Sequence, residues 1–135
     1  MPDTAFPDYV YRPDLDLFTV RWPTHERTAT APGDYEALLL LPEARRTHRW
    51  LFDVRRRPYT TAAAARWVVR DWLPRAGALT PAPLRLAFLV APERAEDLAT
   101  DSPLRTEVQP STMPGQPYIL HAFTDEGAAV RWLLA

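Results

Sequence analysis

The chain has 135 residues, 47% of them hydrophobic, and a formal net charge of −1. That describes one domain, 1–135, with enough apolar material to fold unaided and no overall attraction to nucleic acid or an anionic membrane. Cysteine is absent, which excludes disulfides, thiolate metal sites and a cysteine nucleophile.

Asp8 to Tyr11, the turn Arg12-Pro13-Asp14 and Leu17 to Trp22 predict an N-terminal β-hairpin, because strand-forming residues flank a Pro-Asp turn. In its second strand Phe18, Val20 and Trp22 share one face and Thr19 and Arg21 the other, the pattern of an edge or half-exposed strand. Thr28 to Gly33 is a polar break. Asp34 is placed to cap a helix carrying Tyr35, Leu38, Leu39 and Leu41, which Pro42 kinks or restarts near Glu43. Arg45, Arg46, His48 and Arg49 read as its basic last turn. Trp50 to Val54 is a central strand.

Thr60 or Thr61 then caps a helix that includes four Ala, and Pro74 ends it after Leu73. Leu84 to Val90 is a second central strand, so Trp50 to Val90 forms a right-handed βαβ unit. Glu93 to Ala99 is a short acidic helix. Leu104 to Pro117, with Pro110, Pro114, Gly115 and Pro117, reads as extended loop. Tyr118 to Phe123 is the last strand. Thr124 or Asp125 caps a final helix that carries Glu126 in its first turn and Ala128, Ala129, Trp132 and Leu133 on one face. The order ββ-α-β-α-β-(α)-β-α predicts an α/β fold: a mixed sheet, parallel at its centre, with helices packed on it.

The densest positive charge follows the first central strand. Arg55, Arg56 and Arg57 precede a helix N-terminus, where guanidinium forks and unpaired amides favour an anion. The competing reading is a solvated loop whose arginines pair with Asp53 or Asp71. Thr60 and Thr61 are either N-caps or phosphorylation sites beside that charge. Asp53 ends an apolar strand and is either a base or metal ligand, or an acceptor for the following loop or an Arg. All 16 basic residues are Arg; GC-rich coding explains this, against selection for bidentate anion recognition.

His25, His48 and His121 lack metal-ligand spacing. Ser102 and Ser111 lie in Pro-rich segments without a nucleophile turn, and the four Gly make no phosphate loop. Trp50, Trp67 and Trp132 fall on core faces. Trp72, five residues past Trp67, is off that stripe: it either faces outward, as the anchor of a partner or homodimer, or covers the edge of its own core. Trp22 is open in the same way.

The pattern Trp50-Leu51-Phe52-Asp53-x-Arg55, Trp67, Trp72-Leu73-Pro74-Arg75, Leu86-Ala87-Phe88 and Phe123-x-x-x-x-Ala128-x-x-Trp132-Leu133 resembles the STAS domain, in an uncharacterised bacterial branch. The resemblance covers nearly the whole chain and implies a regulatory binding role without chemistry. Anti-sigma-factor antagonists of that family carry a phosphorylatable Ser motif after the central strand. The matching stretch here, Arg55 to Thr61, has no Ser, and the switch is not carried over.

The resulting expectation is a non-catalytic bacterial binding or regulatory module without cofactor or metal. It engages a protein partner or small anionic ligand through Asp53, Arg55, Arg56, Arg57, Thr60, Thr61 and Trp72. The alternative is a small enzyme using Asp53 and Arg55 in a cleft at the strand ends. Nucleic acid is not expected, because one basic triplet among dispersed acids makes no broad basic face. A membrane role is not expected either. Met1 to Val10 has no apolar core, and no stretch approaches the roughly 20 residues a span needs, so the expected location is cytoplasmic.

Overall fold

A computed structural model describes residues 7–22, 33–56, 62–81, 83–100, 102–112 and 115–135. The expected hairpin is β1 (Asp8–Arg12) and β2 (Leu17–Arg21), followed by α1 (Gly33–Leu38), α2 (Pro42–Arg45) and β3 (Arg49–Asp53). After β3 come α3 (Ala62–Trp67), a π-helical turn (Val68–Trp72), α4 (Leu73–Leu79) and β4 (Leu84–Leu89). Then follow α5 (Pro92–Ala99), α6 (Pro103–Val108), a 3-10 turn (Gln109–Thr112), β5 (Tyr118–Phe123) and α7 (Glu126–Leu134).

The strands lie in chain order, β1-β2-β3-β4-β5. The hairpin pair is antiparallel and every other pair parallel. Phe18, Trp50, Leu86 and Leu120 therefore form one row across four strands, and Val20, Phe52, Phe88 and Ala122 the next on the same face. Helices α1, α2 and α4 and the π turn bury their apolar residues on that face, with Tyr35, Leu38, Ala44, Val68, Trp72 and Ala76 in one core with the strands. Helix α7 follows the last strand and covers the other face, where Ala129 and Leu133 meet Leu51, Ala87 and Leu89. Successive crossovers of one hand keep their helices together, and among the described residues the C-terminal helix closes the opposite side.

The core is rich in aromatic rings, and each fully buried indole N–H has an acceptor, as burial of that group requires. Trp22 donates to a carboxylate oxygen of Asp34 at 3.0 Å, Trp50 to the carbonyls of Ala44 and Thr47 at 3.0 and 3.2 Å, and Trp72 to the carbonyl of Tyr35 at 2.8 Å. Trp22 and Trp72, both open in the sequence, are thus core residues, at 2% and 0% exposure.

The π turn explains Trp72. Residues five apart in an α-helix are separated by roughly 140°. A turn hydrogen-bonded from i to i+5 brings them back toward one side. Tyr35 accordingly meets both rings, at 6.1 Å from Trp67 and 4.9 Å from Trp72. The same turn corrects the expectation that Pro74 ends the helix. Pro74 lies in the first turn of α4, where the ladder is already re-spaced around its missing N–H, and the helical run continues to Leu79.

Four other expectations are corrected. Strand β2 is interior, with Leu17 to Val20 all buried, and the edge belongs to β1. Asp34 lies inside α1 and spends its carboxylate on Trp22 rather than on a cap. Arg49 begins β3 instead of ending a helix. The segment after Ser102 is helical: Ser102 Oγ accepts from the Arg105 amide at 3.1 Å with Pro103 at the first helical position, an N-terminal signature that the later prolines obscured.

Because Trp72 has no exposed surface and its N–H is committed, Trp72→Ala should lower the unfolding free energy by about 3–5 kcal/mol in urea titration. A loss below about 1 kcal/mol would place the side chain outside the core.

Candidate functional site

Parallel strands deliver their side chains to a common carboxyl-terminal rim, where α/β folds tend to build sites. Here Arg21 and Asp53 are register partners at the ends of β2 and β3, and Glu126 sits in the first turn of α7. Arg55 lies two residues past β3.

These four side chains close on one another. Asp53 Oδ1 accepts from the Arg55 amide at 3.1 Å and from Arg55 Nε at 3.0 Å. Its Oδ2 accepts from a terminal nitrogen of Arg55 and of Arg21, each at 2.9 Å. Arg21 turns its fork to Glu126 as well, at 3.1 and 2.8 Å, and Arg55 approaches Glu126 at 3.6 Å. Two guanidinium groups meet two carboxylates, so the cluster is neutral. Only Asp53 is deeply placed, with an 11% exposed side chain against 46% for Arg21 and 42% for Arg55.

Burial pushes the Asp53 carboxyl upward and is the strongest single influence on it. The hydrogen bonds from the Arg55 side chain, the Arg55 amide and Arg21 together outweigh it, and the group titrates below the usual carboxylate range. Glu126 is also lowered, chiefly by its hydrogen bonds from Arg21. Asp53 is therefore an ionised acceptor whose oxygens both already hold donors, the arrangement its alternative sequence reading described.

Arg56 is exposed and makes no ion pair among the described residues. Arg57, Thr60 and Thr61 lie outside the described residues, so the proposed caps and the third arginine have no structural account. Trp72 is not on the rim; it is buried under the helices on the face opposite α7. Asp71 pairs with Arg75 at 2.9 Å, and Arg75 reaches Glu36 at 2.6 Å, which fastens α4 to α1.

Arg21 and Glu126 are the rim residues that sequence reading missed. The signals were present: Arg21 falls on the polar side of the period-two pattern of β2, and Glu126 is a first-turn acid. Nothing in the chain told that α7 would return beneath β3.

A separate cavity of about 240 Å³ is lined by Leu98, Arg105, Val108, Gln109, Leu120 and Ala122, beside β5 and under α6; the rim side chains do not border it. On the α7 face His121 stacks on Trp132 at 4.8 Å, and the Arg85 guanidinium lies 4.6 Å from that ring. Desolvation lowers the pKa of both His48 and His121. Among the described residues no group of three or more His, Asp or Glu could hold a metal ion, and no helix is long and apolar enough to cross a membrane. Comparison with protein-family models, with curated proteins and with solved structures finds no match.

A folded-state pKa held below the unfolded value makes the rim stabilising above the ordinary carboxylate range, an advantage lost as pH falls through the lowered pKa. Asp53→Asn removes the main acceptor of Arg55 and one of the acceptors of Arg21 and should cost about 2 kcal/mol at pH 7. The gap between wild type and variant should narrow in denaturant titrations as pH falls below the ordinary carboxylate range. A gap that persists unchanged at acid pH would mean the carboxylate charge plays no part.

Proposed function

We propose that this domain is a non-catalytic binding module that takes an anionic group, carried by a small ligand or a protein partner, at the arginine-bearing rim where β3 ends. The observation that carries the reading is the fourfold acceptance at Asp53. A general base needs a free lone pair facing its substrate, and here each oxygen already accepts two donors. The pairing instead serves to hold Arg55 on the rim beside Arg56.

Arg56 supplies what the neutral cluster lacks, an exposed fork for bidentate phosphate or carboxylate contact. The STAS-like, regulatory and bacterial assignments belong to the same proposal. Their support is the element order: a hairpin, parallel strands joined by helices, and a terminal helix. Location in the cytoplasm is part of the reading as well.

The test is thermal unfolding of wild type and Arg56→Ala with inorganic phosphate, pyrophosphate and a nucleoside triphosphate at matched ionic strength. Ligand binding to the native state raises the melting temperature, so the wild type should shift by several degrees and the variant by much less. Equal shifts in both proteins, or none in either, would overturn the assignment of the rim as an anion site.

A further inference from the structure

Strand β1 pairs with β2 along one side only, and among the described residues no strand lies on its other side. An open edge offers backbone donors and acceptors to any extended chain. Soluble proteins blunt such edges, yet Tyr9 and Val10 are 41% and 53% exposed here.

The strand reads Asp8-Tyr9-Val10-Tyr11-Arg12, bounded by Pro7 and Pro13. It is nearly the same in both directions except for its charge, which is opposite at the two ends. We propose that β1 is a homodimer edge, pairing antiparallel with β1 of a second copy about a two-fold axis through Val10. In that register Val10 faces Val10, each Tyr9 faces a Tyr11, and each Asp8 faces an Arg12. The axis is perpendicular to the sheet, so residues that share a face in one copy still share it across the junction.

Cross-strand aromatic and opposite-charge pairs are the contacts that stabilise antiparallel strands. A shift by one residue in either direction would lose the Val10 pair and both charge pairs. The flanking prolines have no amide N–H to donate and limit the pairing to five residues a side. Arg12 pairs with Asp14 at 2.7 Å within the chain, but both side chains are more than half exposed, and such pairs are weak enough to be exchanged. The junction would join two five-stranded sheets into one and leave the carboxyl-terminal rim of each copy open. Five residues a side bury little area, so association is weak and concentration-dependent.

The test uses the full chain, which has no native cysteine. Val10→Cys places two thiols opposite each other on the axis, within reach of a disulfide after small adjustment. It should cross-link rapidly under mild oxidation, while Tyr9→Cys, whose thiols are offset by two residues, should do so slowly. Sedimentation velocity of the cysteine-free chain should show a monomer–dimer equilibrium. Asp8→Arg should weaken it by roughly tenfold, and the double exchange Asp8→Arg with Arg12→Asp should restore it. Circular dichroism checks that the variants remain folded. A chain that stays monomeric at all concentrations, equal cross-linking of the two cysteine variants, or an exchange that fails to restore association would each overturn the proposal.

Discussion

Asp53 is buried at the carboxyl end of the middle strand, and a carboxylate there stays ionised only if donors replace the water it has lost. That requirement organises the rim. Arg55 supplies an amide and a fork from the same chain turn, and Arg21 supplies a donor from the neighbouring strand. Arg21 is then anchored by Glu126 at the start of α7. One buried charge thus links β2, β3 and the helix on the far face of the sheet. On the proposed reading, the same donors that keep Asp53 ionised keep it from acting as a base.

The opposite face depends on a second constraint of the same kind. Three indoles are buried among Phe18, Tyr35 and Phe52, and each needs an acceptor for its N–H. Those acceptors come from Asp34 in α1, the carbonyls around α2, and Tyr35 again in α1. The short helices α1 and α2 are too brief to be stable alone; they are held where the tryptophans need them. The π turn belongs to this economy. It turns Trp72 inward and lets the helix pass Pro74, so packing decides a local geometry that intrinsic preference disfavours.

On the proposed reading, recognition is distributed by depth. At the rim the paired charges are neutral and structural, and the exposed fork of Arg56 is the group with reach. At β1, among the described residues, no strand pairs with the outer backbone edge, and Tyr9 and Val10 are about half exposed. The rim and the edge share no residue, so the proposed ligand at the one and the proposed second chain at the other are physically compatible.

The amino-acid order alone determined the hairpin, the parallel pairing of β3 with β4, the final helix with Thr124 or Asp125 as its cap, and an arginine after β3 as a candidate partner of Asp53. Each rests on contacts between residues near in sequence or on an apolar period that only one element satisfies. Tertiary structure decided the rest. Arg21 and Glu126 reach the rim from positions 32 and 73 residues away from Asp53 in the chain (53 − 21 and 126 − 53), and no local pattern records which helix will cross which strand. Trp72 turns inward because the π turn widens one helical turn and sets its ring against Tyr35, Trp50 and Phe52. The helix after Ser102 forms because its cap and the pairing of its Glu107 with Arg66 of α3 at 2.9 Å outweigh the prolines that follow. Local propensity is worth tenths of a kcal/mol per residue, about an order of magnitude less than burying an aromatic side chain or pairing a buried charge. Where the two disagreed, burial prevailed.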